Sequence, residues 1–87
     1  MKASSEMLLR EIAGEHLLIP TGQAAQKIKG MLTFSESSVL LWKKLQTDCS
    51  EEELVDVLLA EYHIDRATAQ QDIRSFLSQL RQLGILE

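Results

Sequence analysis

Between Ile28 and Leu45 the hydrophobic period changes from two to helical within a single residue, and no other stretch restricts the fold so tightly. Ile28, Gly30, Leu32 and Phe34 alternate with Lys29, Met31, Thr33 and Ser35, a spacing that places one set on each face of a strand. Ser35 can then cap a helix by accepting an orphan backbone N–H, while Phe34 and Val39 fill the two positions of a hydrophobic staple. A strand over Lys27 to Phe34 is therefore expected to pass directly into a helix ending near Gln46. Trp42, the only tryptophan, follows Ser38 by one turn and precedes Leu45 by another, so it should anchor whatever packs there. Val39 and Leu40 fall outside the Leu41, Trp42, Leu45 stripe. The helix is thus apolar nearly all round, as expected if it lies between the sheet and two further helices.

Upstream, Leu8 to Ala13 and Glu15 to Ile19 are short apolar-rich runs parted by Gly14, the pattern of a hairpin with a tight turn. Pro20, Thr21 and Gly22 end the second run, and Gln23 to Gln26 reads as a polar connection. Three strands in sequence suggest an antiparallel meander whose third strand keeps one edge free. Downstream, Ser50 and Glu53 form a capping box, with Glu51 and Glu52 in the first turn to complement the helix dipole. Leu54, Leu58 and Tyr62, with Val55 and Leu59 beside them, give this second helix a buried face. Asp65 caps a third helix, with Ile64 and Ala69 as its staple, Ala69, Ile73, Phe76, Leu80 and Leu83 as its core stripe, and Gly84 as its stop. The fold class is α+β: one domain over residues 1–87, a three-stranded antiparallel sheet followed by three helices, with residues 1–7 expected to be flexible.

Eighty-seven residues allow one core but little room for a multi-walled catalytic cleft. Cys49 is the only cysteine, which excludes an internal disulfide and a thiolate metal cluster, fits a reducing compartment, and leaves the residue a packing role at a staple position. His16 and His63 lack ligand partners at helical spacing, so no metal is expected. There is no Ser–His–Asp or Cys–His grouping and no Gly-rich phosphate loop, so neither an enzyme nor a cofactor is expected. Glu6, Arg10, Glu11 and Glu15 interrupt the N-terminal apolar residues, which argues against a signal peptide or membrane span and for a cytoplasmic protein. The charge is asymmetric: residues 1–34 carry a net +1, and the remainder a net −5. Asp48, Glu51, Glu52, Glu53, Asp56 and Glu61 have no Lys or Arg among them, an arrangement that repels a phosphate backbone.

Two surfaces suit a partner. The free edge of Lys27 to Phe34, comprising Lys27, Ile28, Lys29, Gly30, Met31, Leu32 and Thr33 before the terminal Phe34, offers backbone groups to an incoming strand, with Lys29 to attract an acidic peptide. On the third helix Gln70, Arg74, Leu77 and Arg81 lie about 60° to 120° from the centre of the core stripe. A half-exposed Leu77 between arginines suits an anchor for a partner's apolar side chain. Leu77→Asp should then abolish binding and leave the fold intact.

The hairpin, the strand-to-helix segment ending in LLWKKL, the SEEELVDVLLAEYHID segment and the closing DIRSFLSQLRQLGILE together resemble the PqqD family, from about Leu8 to Glu87. Ser35 stands where many relatives carry Asn, and both residues cap helices. The resemblance implies a winged-helix-turn-helix-like domain that binds the leader of a ribosomally made precursor peptide. The leader would add as a strand to the third strand, against a wall of Gln70, Ile73, Arg74, Leu77 and Arg81. It further implies a modifying enzyme as second partner, often of the radical S-adenosylmethionine type, with no chemistry by this protein itself. The alternative is a winged-helix DNA-binding regulator, since the second and third helices have helix-turn-helix proportions. Asp65 and Asp72 beside the arginines, and the acidic second helix, count against it. A dimerisation module using the free edge is a third possibility, so monomer and dimer both stay open.

Overall fold

The computed structural model describes residues 1–87. Strands β1 (Met7–Ile12) and β2 (Glu15–Pro20) form the hairpin; a short helix α1 (Ala24–Lys27) follows, then β3 (Leu32–Phe34) and helices α2 (Glu36–Lys44), α3 (Glu51–Glu61) and α4 (Arg66–Leu83). The sheet is an antiparallel meander in the order β1-β2-β3. Its turn consists of Ala13 and Gly14, both at positive φ, 53° and 81°. That pair of left-handed residues matches the twist of a two-residue hairpin, and it is why Gly14 is suited to the site.

Each helix start follows from its cap. The Ser35 hydroxyl accepts from the Ser38 N–H, Ser50 and Glu53 form a reciprocal capping box, and the Asp65 carboxylate accepts from the Thr68 N–H at 2.7 Å. These bonds satisfy donors that the first helical turn leaves free. Gly84, at φ 73°, closes α4 in the left-handed conformation. The core is continuous between sheet and helices: Leu18 of β2 and Phe34 of β3 point inward, and Phe34 meets both Trp42 of α2 and Phe76 of α4 edge to face, at centroid distances of 5.9 and 5.8 Å. Trp42 is thus a core residue that ties β3 to α2. Cys49 packs in the same core.

Two expectations are corrected here. Residues 1–7 are not a loose tail. Ala3 is buried and bridges to Leu86, while Lys2, Ala3 and Ser4 donate backbone hydrogen bonds to Glu87, Leu45 and Ile85. The N-terminus therefore laces the C-terminal end of α4 to the end of α2. The third strand is also shorter than the alternation from Lys27 suggests, beginning at Leu32. Lys27 instead ends α1, where Ala24 and Ala25 favour a helical turn and the Glu6 carboxylate accepts from the Gln23 and Ala24 N–H groups. Ile28 is the extended cap residue, and Lys29, Gly30 and Met31 form a link outside the ladder, with Gly30 at φ 94°.

Register explains where the ladder stops. The Thr21 N–H donates to the Glu6 carbonyl at 2.7 Å. By the alternation of an antiparallel ladder, Leu8/Ile19, Arg10/Leu17 and Ile12/Glu15 are then the hydrogen-bonded pairs of the hairpin. His16 and Leu18 consequently turn their backbone groups toward β3, opposite Phe34 and Leu32. Continuing that register would set Gly30 against Pro20, which has no N–H to give.

Candidate functional site

The same alternation defines what the sheet leaves unpaired. Leu32 and Phe34 direct their backbone groups to β2, so Thr33, between them, directs its N–H and C=O outward at the open edge. Met31, the most exposed large apolar side chain at 59%, immediately precedes this edge. Ile28 and Leu32 are half-buried against the core beside it. The edge is therefore short, apolar along one side, and centred on Thr33.

Helix α4 supplies the facing wall, through a different flank from the one expected. Phe76 stacks edge to face on Phe34, Leu83 meets Ile28 across a small cleft, and Asp72 borders a pocket with Ser37 and Ser38. Asp72, Phe76, Gln79 and Leu83 recur at i, i+4, i+7 and i+11, one stripe along the helix. Gln70, Arg74, Leu77 and Arg81 form a stripe roughly 160° to 180° away. Arg74 of that stripe is turned toward α3, where its Nε lies 3.3 Å from the Glu51 carboxylate. Leu77 is 1% exposed and Ile73 is fully buried, so neither is a surface anchor. Gln70 is half-buried, and Arg81 exposed. The correction has a plain cause: two flanks border every core stripe, and the sequence did not say which one the sheet edge lies along.

Between the end of β3 and the α3–α4 junction the wall opens into a pocket of about 240 Å³. Leu41, Leu58, Tyr62, Ile64 and Phe76 make its apolar lining, and Ser37, Ser38 and Asp72 its polar part. The opposite end of the edge carries the exposed Lys27 and Lys29. No spacing rule singled out this pocket beforehand, because its lining is drawn from three helices and the junction between two of them. The one available signal was Phe76, the aromatic member of the core stripe nearest the Asp72 flank.

Burial, followed by the nearby Glu53 carboxylate, pushes the Cys49 thiol up, which suits a packing residue rather than a nucleophile. Asp65 is held below the usual carboxylate range by its hydrogen bonds to Thr68. The arginines expected of a DNA-reading helix are mostly engaged: Arg66 pairs with Asp56 at 3.2 Å, and Arg74 with Glu51. A stripe of free cations, which a phosphate backbone requires, is not presented by α4.

The architecture is that of a small winged-helix-like α+β domain with one open sheet edge set against a helix. Residues 15–86 match the family model for coenzyme PQQ synthesis protein D (PqqD), and the chain belongs to the PqqD family. Two solved structures share the fold. TbiB1, in complex with the TbiA(beta) leader peptide, is 29% identical with a TM-score of 0.78, covering 100% of this chain and 95% of that one. Lasso peptide synthetase B1, complexed with the leader peptide, is 17% identical with a TM-score of 0.75, covering 97% and 93%. No curated protein matches the chain.

Proposed function

We propose that this protein captures the leader segment of a ribosomally made precursor peptide as a fourth strand on β3 and presents it to a modifying enzyme. The observation that carries this is the unpaired backbone of Thr33 facing the Phe76–Leu83 flank of α4. Membership of the PqqD family and the likeness to TbiB1, a leader-peptide complex, support it. An added strand gains backbone hydrogen bonds from the edge, and its alternate side chains enter the groove, so affinity and selection come from different atoms. Of the residues expected to bind, Leu32 and Thr33 belong to the edge itself. Lys27, Ile28, Lys29, Gly30 and Met31 flank its start as a non-ladder link, and the α4 contribution shifts to the Asp72 flank.

The protein itself does no chemistry, works in the cytoplasm, and needs no cofactor. Its second partner is a modifying enzyme of the radical S-adenosylmethionine type. The decisive experiment is a calorimetric titration with a synthetic leader from the precursor encoded beside this gene. Binding with a Kd of about micromolar order is expected from one short added strand and one pocket. Absence of leader binding, together with duplex DNA binding that weakens steeply with salt, would overturn the proposal.

A further inference from the structure

We infer that the bound segment is charge-polarised: a lysine or arginine seats in the pocket beside Asp72, and an acidic residue lies toward Lys27 and Lys29. This rests on the leader-binding proposal and specifies the substrate that the same groove accepts. At about 240 Å³ the pocket is below the roughly 300 to 1,000 Å³ of small-molecule sites, and is sized for one long side chain. Its apolar lining would cover a methylene stem, beside the half-buried ring of Tyr62. The Asp72 carboxylate borders this space, is exposed, and takes part in no hydrogen bond or ion pair of the fold. Ser37 and Ser38 also line the pocket, their hydroxyls hydrogen-bonded to that of Ser35 at 3.1 Å. An all-apolar side chain would fill the lining but gain no attraction from Asp72, which would stay hydrated, and an acidic one would be repelled.

The far end of the edge has the opposite sign. Lys27 and Lys29 are exposed and take part in no ion pair. The cations of the neighbouring α4 are on its other flank or committed to α3, so they do not cancel Asp72. A strand lying along the groove therefore meets a positive start and a negative end. Complementarity of this kind governs selection and register more than raw affinity.

The test is selection of a random dodecapeptide phage library on the wild-type protein and on Asp72→Lys, an exposed substitution, with circular dichroism to confirm that the variant folds. Winning peptides are then titrated and followed by amide NMR. Wild-type winners should share a Lys or Arg at a fixed distance from an apolar strand-forming run, with an acid at the other end. Changing that Lys or Arg to norleucine should weaken wild-type binding several-fold, and Asp72→Lys should select Glu or Asp at the same position. Peptides that shift Thr33 and Phe34 but show no basic residue, or tolerate norleucine unchanged, would overturn the charge inference and leave groove binding standing. Peptides that bind without moving Thr33 or Phe34 would overturn both.

Discussion

The two flanks of α4 carry opposite charge and meet opposite fates. Along one, Leu77 is buried and Arg74 is tied to Glu51 of α3, while Arg81 stays exposed and outside any ion pair. Along the other, Phe76 touches β3, while Asp72 and Gln79 are exposed and unpaired. A helix buries an apolar stripe in either case; what differs is the neighbour beyond it. The α3 side meets a helix whose first turn holds three glutamates, of which Glu51 pairs with Arg74. The β3 side meets a three-residue strand that stops at the Pro20 register position and leaves a backbone edge bare. The open backbone edge lies where the fold runs out of partners, not where the sequence is richest in apparent anchors.

Substitutions on each side of the helix test that contrast. The largest effect is expected on the closed flank: Leu77→Asp should abolish the cooperative thermal transition, because it places an unpaired charge in the core. The milder Leu77→Ala should cost about 2–5 kcal/mol in denaturant unfolding. A folded Leu77→Asp variant that merely failed to bind peptide would reinstate Leu77 as a surface anchor. On the open side, Thr33→Pro removes the outward N–H without touching the ladder donors of Leu32 or Phe34. It should reduce leader affinity about tenfold by calorimetry while the fold persists.

Smaller effects serve as controls. Ser50→Ala, remote from the groove, should lower unfolding stability by about 1 kcal/mol through loss of the capping box and leave leader affinity unchanged. Arg74→Ala removes an exposed ion pair and should change stability by no more than about 1 kcal/mol, again without effect on affinity. A clear loss of binding there would favour the α3-facing flank. The smallest signature is in acid. Asp65 has a lowered folded pKa, so its capping contribution is present above the unfolded carboxylate range and is lost as pH falls through the folded value. Asp65→Asn should flatten that part of the stability profile below about pH 4.

Local chemistry was legible in the sequence, and long-range geometry was not. Ser35, Ser50, Asp65 and Gly84 could be assigned because a cap is specified within four residues, and each takes the expected role. The hairpin turn and the strand order followed from equally short signals. The length of β3 was hidden because it depends on Pro20, a residue of another strand, and on a left-handed Gly30. The α1 turn depends likewise on the distant Glu6 carboxylate. The burial of Ala3 was illegible for the same reason, since its partners are Leu45 and Leu86. Which flank of α4 adjoins β3 was illegible for a related reason: periodicity locates a core stripe but does not identify the element beside it.

The central claim is that a leader strand joins β3 at Thr33 and lies along the Asp72–Leu83 flank. Amide hydrogen exchange at Thr33, with and without the synthetic leader peptide, tests it most directly. The Thr33 N–H points away from β2 and should exchange rapidly in the free protein, then become protected in the complex. Saturating peptide that leaves Thr33 exchange unchanged, while perturbing Gln70, Arg74 and Arg81, would contradict the account.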